Sequence, residues 1–316
     1  MDLKELGEFG LIERIRNAMG PVPEGVLGIG DDCAILPQRD AMETLVTTDM
    51  LVEGTHFLRE DIPAHRLGWK SAAVNFSDIA AMGGRPTGSF LSLGLPRGLD
   101  SEWMDGFMAG YKACSDFCGA PLLGGDTTTS PSGICINVAV LGECPRGHAR
   151  LRSSAVPGDL VCVTGPLGDS GGGLQVILKG VERDAAAGAL VERHYRPVPR
   201  VREGQALAAT EGVHAMMDIS DGIASDLRHI LKASRAGAEI FTKEIPLSEE
   251  LRQVCARHGW DALELALTGG EDYELLFTMA PGTEPPVPCH VIGRITAGQD
   301  ISWLGADRDY IGYRHF

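Results

Sequence analysis

Segments with a strand period and segments with a helix period alternate along almost the whole chain, which commits it to packed layers of sheet and helix. Thr44 to Asp49, Gly88 to Leu95 and Gly133 to Leu141 read as strands, the last through Ile134, Ile136, Val138 and Val140. Arg66 to Met82 and Ser101 to Phe117 read as helices. Phe9, Ile12, Ile15 and Met19 predict a further amphipathic helix near the N-terminus. A polar, basic stretch from Pro145 to Pro157 follows, and the alternation restarts. Strands are expected over Asp159 to Thr164, Ala215 to Ile219, Ala238 to Phe241, Glu274 to Thr278 and His290 to Ile295. Helices are expected over Ser170 to Leu178, Ala224 to Ala233 and Glu249 to Arg257. The simplest description is α/β (α+β) with two domains, residues 1–150 and 151–316, and a cleft between them as the default ligand site.

The 316 residues suffice for two cores, and 44% hydrophobic with 22% charged residues excludes a disordered chain or a coiled coil. Lys plus Arg number 28 against 43 Asp plus Glu, a net charge of −15 that argues against general nucleic-acid or anionic-membrane binding. No apolar run approaches the ~18 residues of a membrane span. Met1-Asp2-Leu3-Lys4-Glu5 is not a signal-peptide start, so a cytoplasmic protein is expected. The eight cysteines are scattered without a CxxC pair and read as reduced, mostly buried thiols. Cys114 and Cys118 are four apart on an expected helix, but no second pair completes a zinc set.

The chemistry concentrates in six clusters that set carboxylates beside glycines or hydroxyls. They are Gly28-Ile29-Gly30-Asp31-Asp32, Thr47-Thr48-Asp49, Asn75-Phe76-Ser77-Asp78, Gly124-Gly125-Asp126-Thr127-Thr128, Asp218-Ile219-Ser220-Asp221-Gly222 and Gly269-Gly270-Glu271-Asp272. Each is expected at a strand end or a helix start, where ligands gather in α/β folds. Asp and Thr oxygens are hard ligands suited to Mg²⁺, and neighbouring glycines let backbone N–H groups approach phosphate oxygens. Each cluster alone has a plainer reading. Ser77-Asp78 and Ser220-Asp221 could be helix N-caps, Gly-Gly-Asp-Thr a turn, and Asp31-Asp32 a solvated pair. Together they favour a multi-metal phosphate site, because so many converging carboxylates repel one another unless cations compensate.

Other phosphate and catalytic signatures are missing from the sequence. It has no GxxxxGK[ST] loop, no HRD or DFG and no HExxH. Gly168-Asp169-Ser170-Gly171-Gly172-Gly173 could cradle a phosphate or simply open a helix. No EF-hand loop supports a module that only buffers divalent cations.

The six clusters, with Gly54-Thr55-His56-Phe57, the full Ala73-Val74-Asn75-Phe76-Ser77-Asp78-Ile79-Ala80-Ala81-Met82-Gly83 segment and Gly269-Gly270-Glu271-Asp272-Tyr273-Glu274-Leu275, resemble the thiamine-monophosphate kinase family, in order and over nearly the whole chain. The Gly-Asp-Asp and Gly-Gly-Asp pieces are shared with the wider ATP-binding superfamily of aminoimidazole ribonucleotide synthetase, selenophosphate synthetase and a hydrogenase maturation protein. The resemblance implies a two-domain fold like aminoimidazole ribonucleotide synthetase, with N-terminal domains pairing in a homodimer and ATP in the cleft. It implies transfer of the γ-phosphoryl of ATP to thiamine monophosphate, giving thiamine diphosphate and ADP as the last step of thiamine diphosphate biosynthesis. By the same carry-over, Asp32, Thr47, Thr48, Asp49, Asp78, Asp126, Asp218 and Asp221 hold several Mg²⁺ ions, with Asp218 and Asp221 the catalytic pair. Gly125, Asp126, Arg152 and Ser220 meet ATP, and His56, Glu271 and Tyr310 meet thiamine monophosphate. Asp31 is left open as a further ligand. The Gly171-Gly172-Gly173 run departs from the small residues, often alanines, of the family. The alternative within the superfamily is a selenophosphate or aminoimidazole ribonucleotide synthetase. An N-terminal catalytic Cys would favour the former, and none is present.

Overall fold

A computed structural model describes residues 25, 27, 31–37 and 41–312. The helix expected around Phe9 to Met19, the Gly28-Ile29-Gly30 turn and the last four residues lie outside the described residues. The first sheet holds β1 (Ala34–Pro37), β2 (Met42–Val52), β3 (Arg85–Pro96), β4 (Leu122–Ser130) and β5 (Cys135–Pro145) in the order β1-β2-β5-β3-β4. Every pairing is antiparallel except β3 with β4. Helices α1 (Ala64–Ala81) and α2 (Ser101–Cys118) pack together beside it. Two glycines bring them close. A Cβ on Gly68 would lie 1.9 Å from the Phe107 carbonyl oxygen, and one on Gly110 would lie 1.7 Å from that of His65. α2 starts where Asp100 accepts the Trp103 N–H at 2.7 Å and stops at Gly119, in the left-handed region at φ 70.

The second sheet holds β6 (Leu160–Val163), β7 (Val213–Asp218), β8 (Gly237–Phe241), β9 (Leu275–Met279), β10 (His290–Thr296) and β11 (Ile301–Leu304) in the order β11-β8-β10-β6-β9-β7. It too is antiparallel apart from one parallel pair, β8 with β11. Its helices are α3 (Asp169–Leu178), α4 (Ala185–Tyr195), α5 (Val201–Ala208), α6 (Ile223–Ser234), α7 (Glu249–His258) and α8 (Ala262–Thr268). The architecture is therefore two mixed α/β layers with mostly antiparallel sheets. The two halves share an interior. One core runs from Leu45, Phe76, Ile136 and Val138 of the first half into Val176, Leu190 and Leu251 of the second. The Trp69 indole N–H also donates to the Pro197 carbonyl at 2.6 Å. A second core lies between the second sheet and α6, around Ile219, Leu227, Ile240 and Leu276.

Most expected elements are present within a few residues. β1, β4, α4, α5, α8 and β11 were not expected. β4 carries Gly124-Gly125 and is exposed along nearly all its length, so it has neither the composition nor the alternation of a half-buried strand. No described helix is long and apolar enough to cross a membrane, and all eight cysteines are free thiols.

Candidate active site

Four separate parts of the chain bring oxygens to one place. β2 alternates its side chains, so Thr47 and Asp49 share the face that turns to α1, while Thr48 takes the exposed face and accepts from the Asn137 amide at 2.9 Å. Asn75 and Asp78 lie three apart on one face of α1. The Asp49 N–H donates to Asn75 Oδ1 at 2.8 Å and Thr47 donates to Asp78 Oδ2 at 2.5 Å, which locks strand to helix. Ser77 donates to Asp218 Oδ2 at 2.5 Å, tying α1 to the end of β7 across the two halves. Asp32, just before β1, completes the set. Oxygens of Asp32, Asp78 and Asp218 lie within 4.8 Å of one another, and they form the one such cluster among the described residues.

The structure corrects two expectations about position. Ser77-Asp78 is not at a helix start but in the closing turns of α1, where the helix dipole disfavours a carboxylate, so Asp78 is not an N-cap. Ser220 and Asp221 do precede α6, yet its cap position is Gly222 and no side chain caps it. Neither residue pair is explained by capping. Nor do the clusters gather at strand ends alone, since Thr47, Asp49 and Asp126 sit within strands.

The electrostatics are those of buried carboxyl groups that repel one another. Burial, then the Asp32 charge, lifts the Asp218 carboxyl to about 7. Burial and Asp32 lift Asp31 to about 7 against the pull of Arg152. Asp78 is pushed well above the carboxylate range by burial, then by Asp49 and Asp218. Arg152 pairs with both acids of Asp31-Asp32, most closely as a fork with Nε 3.0 Å and Nη2 2.5 Å from the two oxygens of Asp32. Three carboxyl groups and the Thr47 hydroxyl are an all-oxygen, hard donor set, which fits Mg²⁺ better than a softer metal.

The opposite wall is the Gly269–Tyr273 loop. Glu271 and Tyr273 both have left-handed backbones, at φ 64 and 51. Their N–H groups donate to the Ser220 and Ile219 carbonyls at 2.8 and 2.9 Å. A Cβ on Gly270 would lie 2.3 Å from the Ser220 carbonyl oxygen, so this close approach needs glycine. Asp272 points back to accept the Gly168 and Ser170 N–H groups at 2.6 and 3.0 Å, covering the start of α3. The Gly171-Gly172-Gly173 run is no looser for lacking side chains, because a Cβ on Gly173 would lie 2.3 Å from the Leu190 carbonyl oxygen. Burial works against the Glu271 charge, but the Lys70 ammonium and its hydrogen bond, together with the neighbouring His194 and His56 rings, hold the acid below its usual value. His56 Nδ1 accepts the Val52 N–H at 3.0 Å, which leaves the ring hydrogen of the neutral imidazole on Nε2.

Between these walls lies a cavity of about 1200 Å³, larger than the ~300–1,000 Å³ typical for one drug-sized ligand. Asp31, Asp32, Thr47, Thr48, Asp49, His56, Asp78, Arg152, Asp218, Ser220, Asp221 and Glu271 all line it. Gly125 and Asp126 do not. They sit on β4, the exposed edge of the first sheet. Tyr310 is buried outside the cleft, edge-on to Trp303 at 5.4 Å and beside a separate hollow with Asp261, Leu263 and Arg308. Sequence reasoning missed Lys70 and His194, which flank Glu271, and the Arg228 and Lys232 side of α6. The available signal was a lone charge inside the otherwise uncharged Trp69-Lys70-Ser71-Ala72-Ala73 stretch of a buried helix.

The domain models described as "AIR synthase related protein", N-terminal and C-terminal, match residues 30–144 and 156–303. A curated thiamine-monophosphate kinase of Aquifex aeolicus is 38% identical over 100% of both chains. That of Escherichia coli K12 is 40% identical over 98% of each. A solved structure of AaThiL complexed with AMPPCP and TMP superposes with TM-score 0.92 at 38% identity, covering 100% of this chain and 99% of that one. The E. coli hydrogenase maturation protein HypE matches with TM-score 0.69 at 19% identity over 85% of each chain, a likeness of fold alone.

Proposed function

Because the chain belongs to the AIR synthase related family and, within it, to the thiamine-monophosphate kinases, we propose that it transfers the γ-phosphoryl group of ATP to the phosphate of thiamine monophosphate, giving thiamine diphosphate and ADP. The observation that carries this reading is the convergence of Asp32, Asp78 and Asp218 in a cavity large enough for two substrates. Asp32, Asp78 and Asp218, with Thr47, Asp49 and Asp221 around them, would hold Mg²⁺. Bound there, the ions would neutralise the phosphates and the charge that develops in transfer.

The remaining work falls to this chain's own side chains, and it is positioning. The acceptor is a phosphate monoester whose second pKa is about 6, already a dianion at neutral pH, so the transfer needs no general base. Asp218 and Asp221 therefore act as ligands and not as proton acceptors. Arg152 lies beside Asp32 and lines the cleft, where its guanidinium suits a nucleotide phosphate. Glu271 and His56 occupy the other wall and would receive the thiamine part. Residues 1–150 supply the β2 and α1 ligands, and residues 151–316 supply Asp218 and the Glu271 loop.

Asp126 and Gly125 enter this scheme only through a second copy. β4 is an edge strand exposed on both faces beside the exposed Phe90, Leu122 and Leu123, a surface suited to pairing in a homodimer. Eight reduced thiols and an ATP substrate accord with the cytoplasm. The test is to incubate the purified chain with ATP, Mg²⁺ and thiamine monophosphate and follow phosphorus NMR. Resonances of thiamine diphosphate and ADP are expected. AMP with inorganic phosphate, as a selenophosphate synthetase would release, or no diphosphate product refutes the reading.

A further inference from the structure

Lys70 projects from the middle of α1 and its side chain is wholly buried. A buried ammonium persists only with an anionic partner. That partner is Glu271, whose Oε2 accepts from Lys70 Nζ at 2.9 Å. His194 Nδ1 lies 3.4 Å from the same oxygen and 2.9 Å from Ser170 Oγ, and burial, with the Lys70 charge, keeps its imidazole neutral. Both contacts fall on Oε2. Oε1 is not taken by this pair, and the Glu271 side chain keeps 26% exposure where it lines the cleft. The backbone is fixed as firmly as the side chain. A left-handed non-glycine residue costs ~1–3 kcal/mol and persists only where the surroundings over-determine it. Here Ser220, Ile219, Gly168 and Ser170 all hold residues 271–273.

We propose that Lys70, supported by His194, is a positioning residue that fixes Glu271 as a hydrogen-bond acceptor for the amino group on the pyrimidine of thiamine monophosphate, so that this trio sets substrate specificity. The proposal rests on the function proposed above. A carboxylate already neutralised by Lys70 has little net charge left to attract the thiazolium ring, but it keeps lone pairs for an N–H donor. An analogue that offers a carbonyl oxygen in place of the amino group leaves two acceptors facing each other in a desolvated wall, a mismatch that sites built around hydrogen bonds reject strongly.

The experiment measures kcat and KM for thiamine monophosphate and for oxythiamine monophosphate, whose amino group is replaced by oxygen. It uses the wild type, Lys70→Met, His194→Gln and the double variant Lys70→Met/Glu271→Gln. The wild type is expected to favour the amino substrate by ~100-fold in kcat/KM. Lys70→Met should reduce that preference to below ~5-fold through the KM of thiamine monophosphate, with the KM of ATP changed less than ~3-fold, and His194→Gln should lie between. The double variant removes both charges together, so it should regain thermal stability without regaining the preference. A preference retained in Lys70→Met overturns the proposal, as does an equal loss for both substrates, which is what a purely structural lysine would give. If Lys70→Met does not fold, the preference of the double variant and of His194→Gln decides in the same way. A wild type that makes no thiamine diphosphate overturns the functional reading and this inference with it. Wild-type turnover with equal losses overturns the positioning role alone.

Discussion

Replacing Asp218 by Asn is expected to make the ion-free protein more stable and the enzyme nearly inactive. Three carboxyl groups share a space of 4.8 Å. At an effective dielectric of about 20, two unit charges at that separation repel by about 3.5 kcal/mol. Asp218 faces two such neighbours, and Arg152 offsets part of the sum through its fork on Asp32. Partial protonation trims the repulsion further, so the relief on neutralising Asp218 is ~2 kcal/mol. The Asn side chain keeps an oxygen that can accept from Ser77, so the link between α1 and β7 need not be lost.

The assay is thermal unfolding at low ionic strength and neutral pH, with and without millimolar Mg²⁺, alongside turnover. Without Mg²⁺ the variant should melt several degrees above the wild type. With Mg²⁺ the order should reverse, because the wild type gains binding energy that the variant has largely forfeited. Turnover should fall by two orders of magnitude or more through the lost ligand. A variant less stable than the wild type without Mg²⁺, or one stabilised as much by the ion, would show that the carboxylates are not arranged against their own repulsion to hold a cation.

Three further outcomes are expected. His194 is buried with its pKa lowered to about 3 from 6.5. The unfolded chain therefore takes up a proton below 6.5 that the folded chain refuses until about 3, and stability is lost as pH falls through that window, by ~2 kcal/mol at pH 5. Urea unfolding at pH 7 and pH 5 should show His194→Gln less sensitive to acid by that amount; an unchanged pH dependence would refute the assignment. Gly110→Ala sets a methyl where the His65 carbonyl oxygen stands, 1.7 Å away, and should destabilise by about 3 kcal/mol or more, measured by thermal melting. A wild-type melting curve would contradict the close packing of α1 and α2. Sedimentation should find a dimer for the wild type and a monomer for Leu123→Lys, which puts a charge on the exposed β4 edge. A monomeric wild type would rule that pairing out.

What the residues disclosed in advance was composition-bound chemistry, and what they hid was long-range placement. Asp32, Thr47, Asp49, Asp78 and Asp218 could be singled out because hydroxyl and carboxylate oxygens beside glycines are an uncommon concentration of hard donors, and the fold does bring them to one cavity. Their local settings were less legible. Asp78 stands in the last turn of α1, against the helix dipole and beside other carboxyls, and the Thr47 hydroxyl is what it accepts there. β4 escaped because a strand exposed on both faces has no period to read, and its Asp126 lies on an edge whose role depends on what covers it. Tyr310 enters the candidate set only through the family resemblance, and here its ring packs edge-on to Trp303. Lys70 shows the converse. A single charge in a helix buried on almost every face is costly enough to demand a partner, and the partner is the carboxylate 201 residues away that already stood among the candidates. The acidity of the chain then divides by surroundings: Asp32, Asp78 and Asp218 crowd into one cluster beside Arg152, whereas Glu271 stands apart from them, paired with Lys70. On the function proposed above, that difference would separate a wall for Mg²⁺ and phosphates from a wall for an uncharged donor.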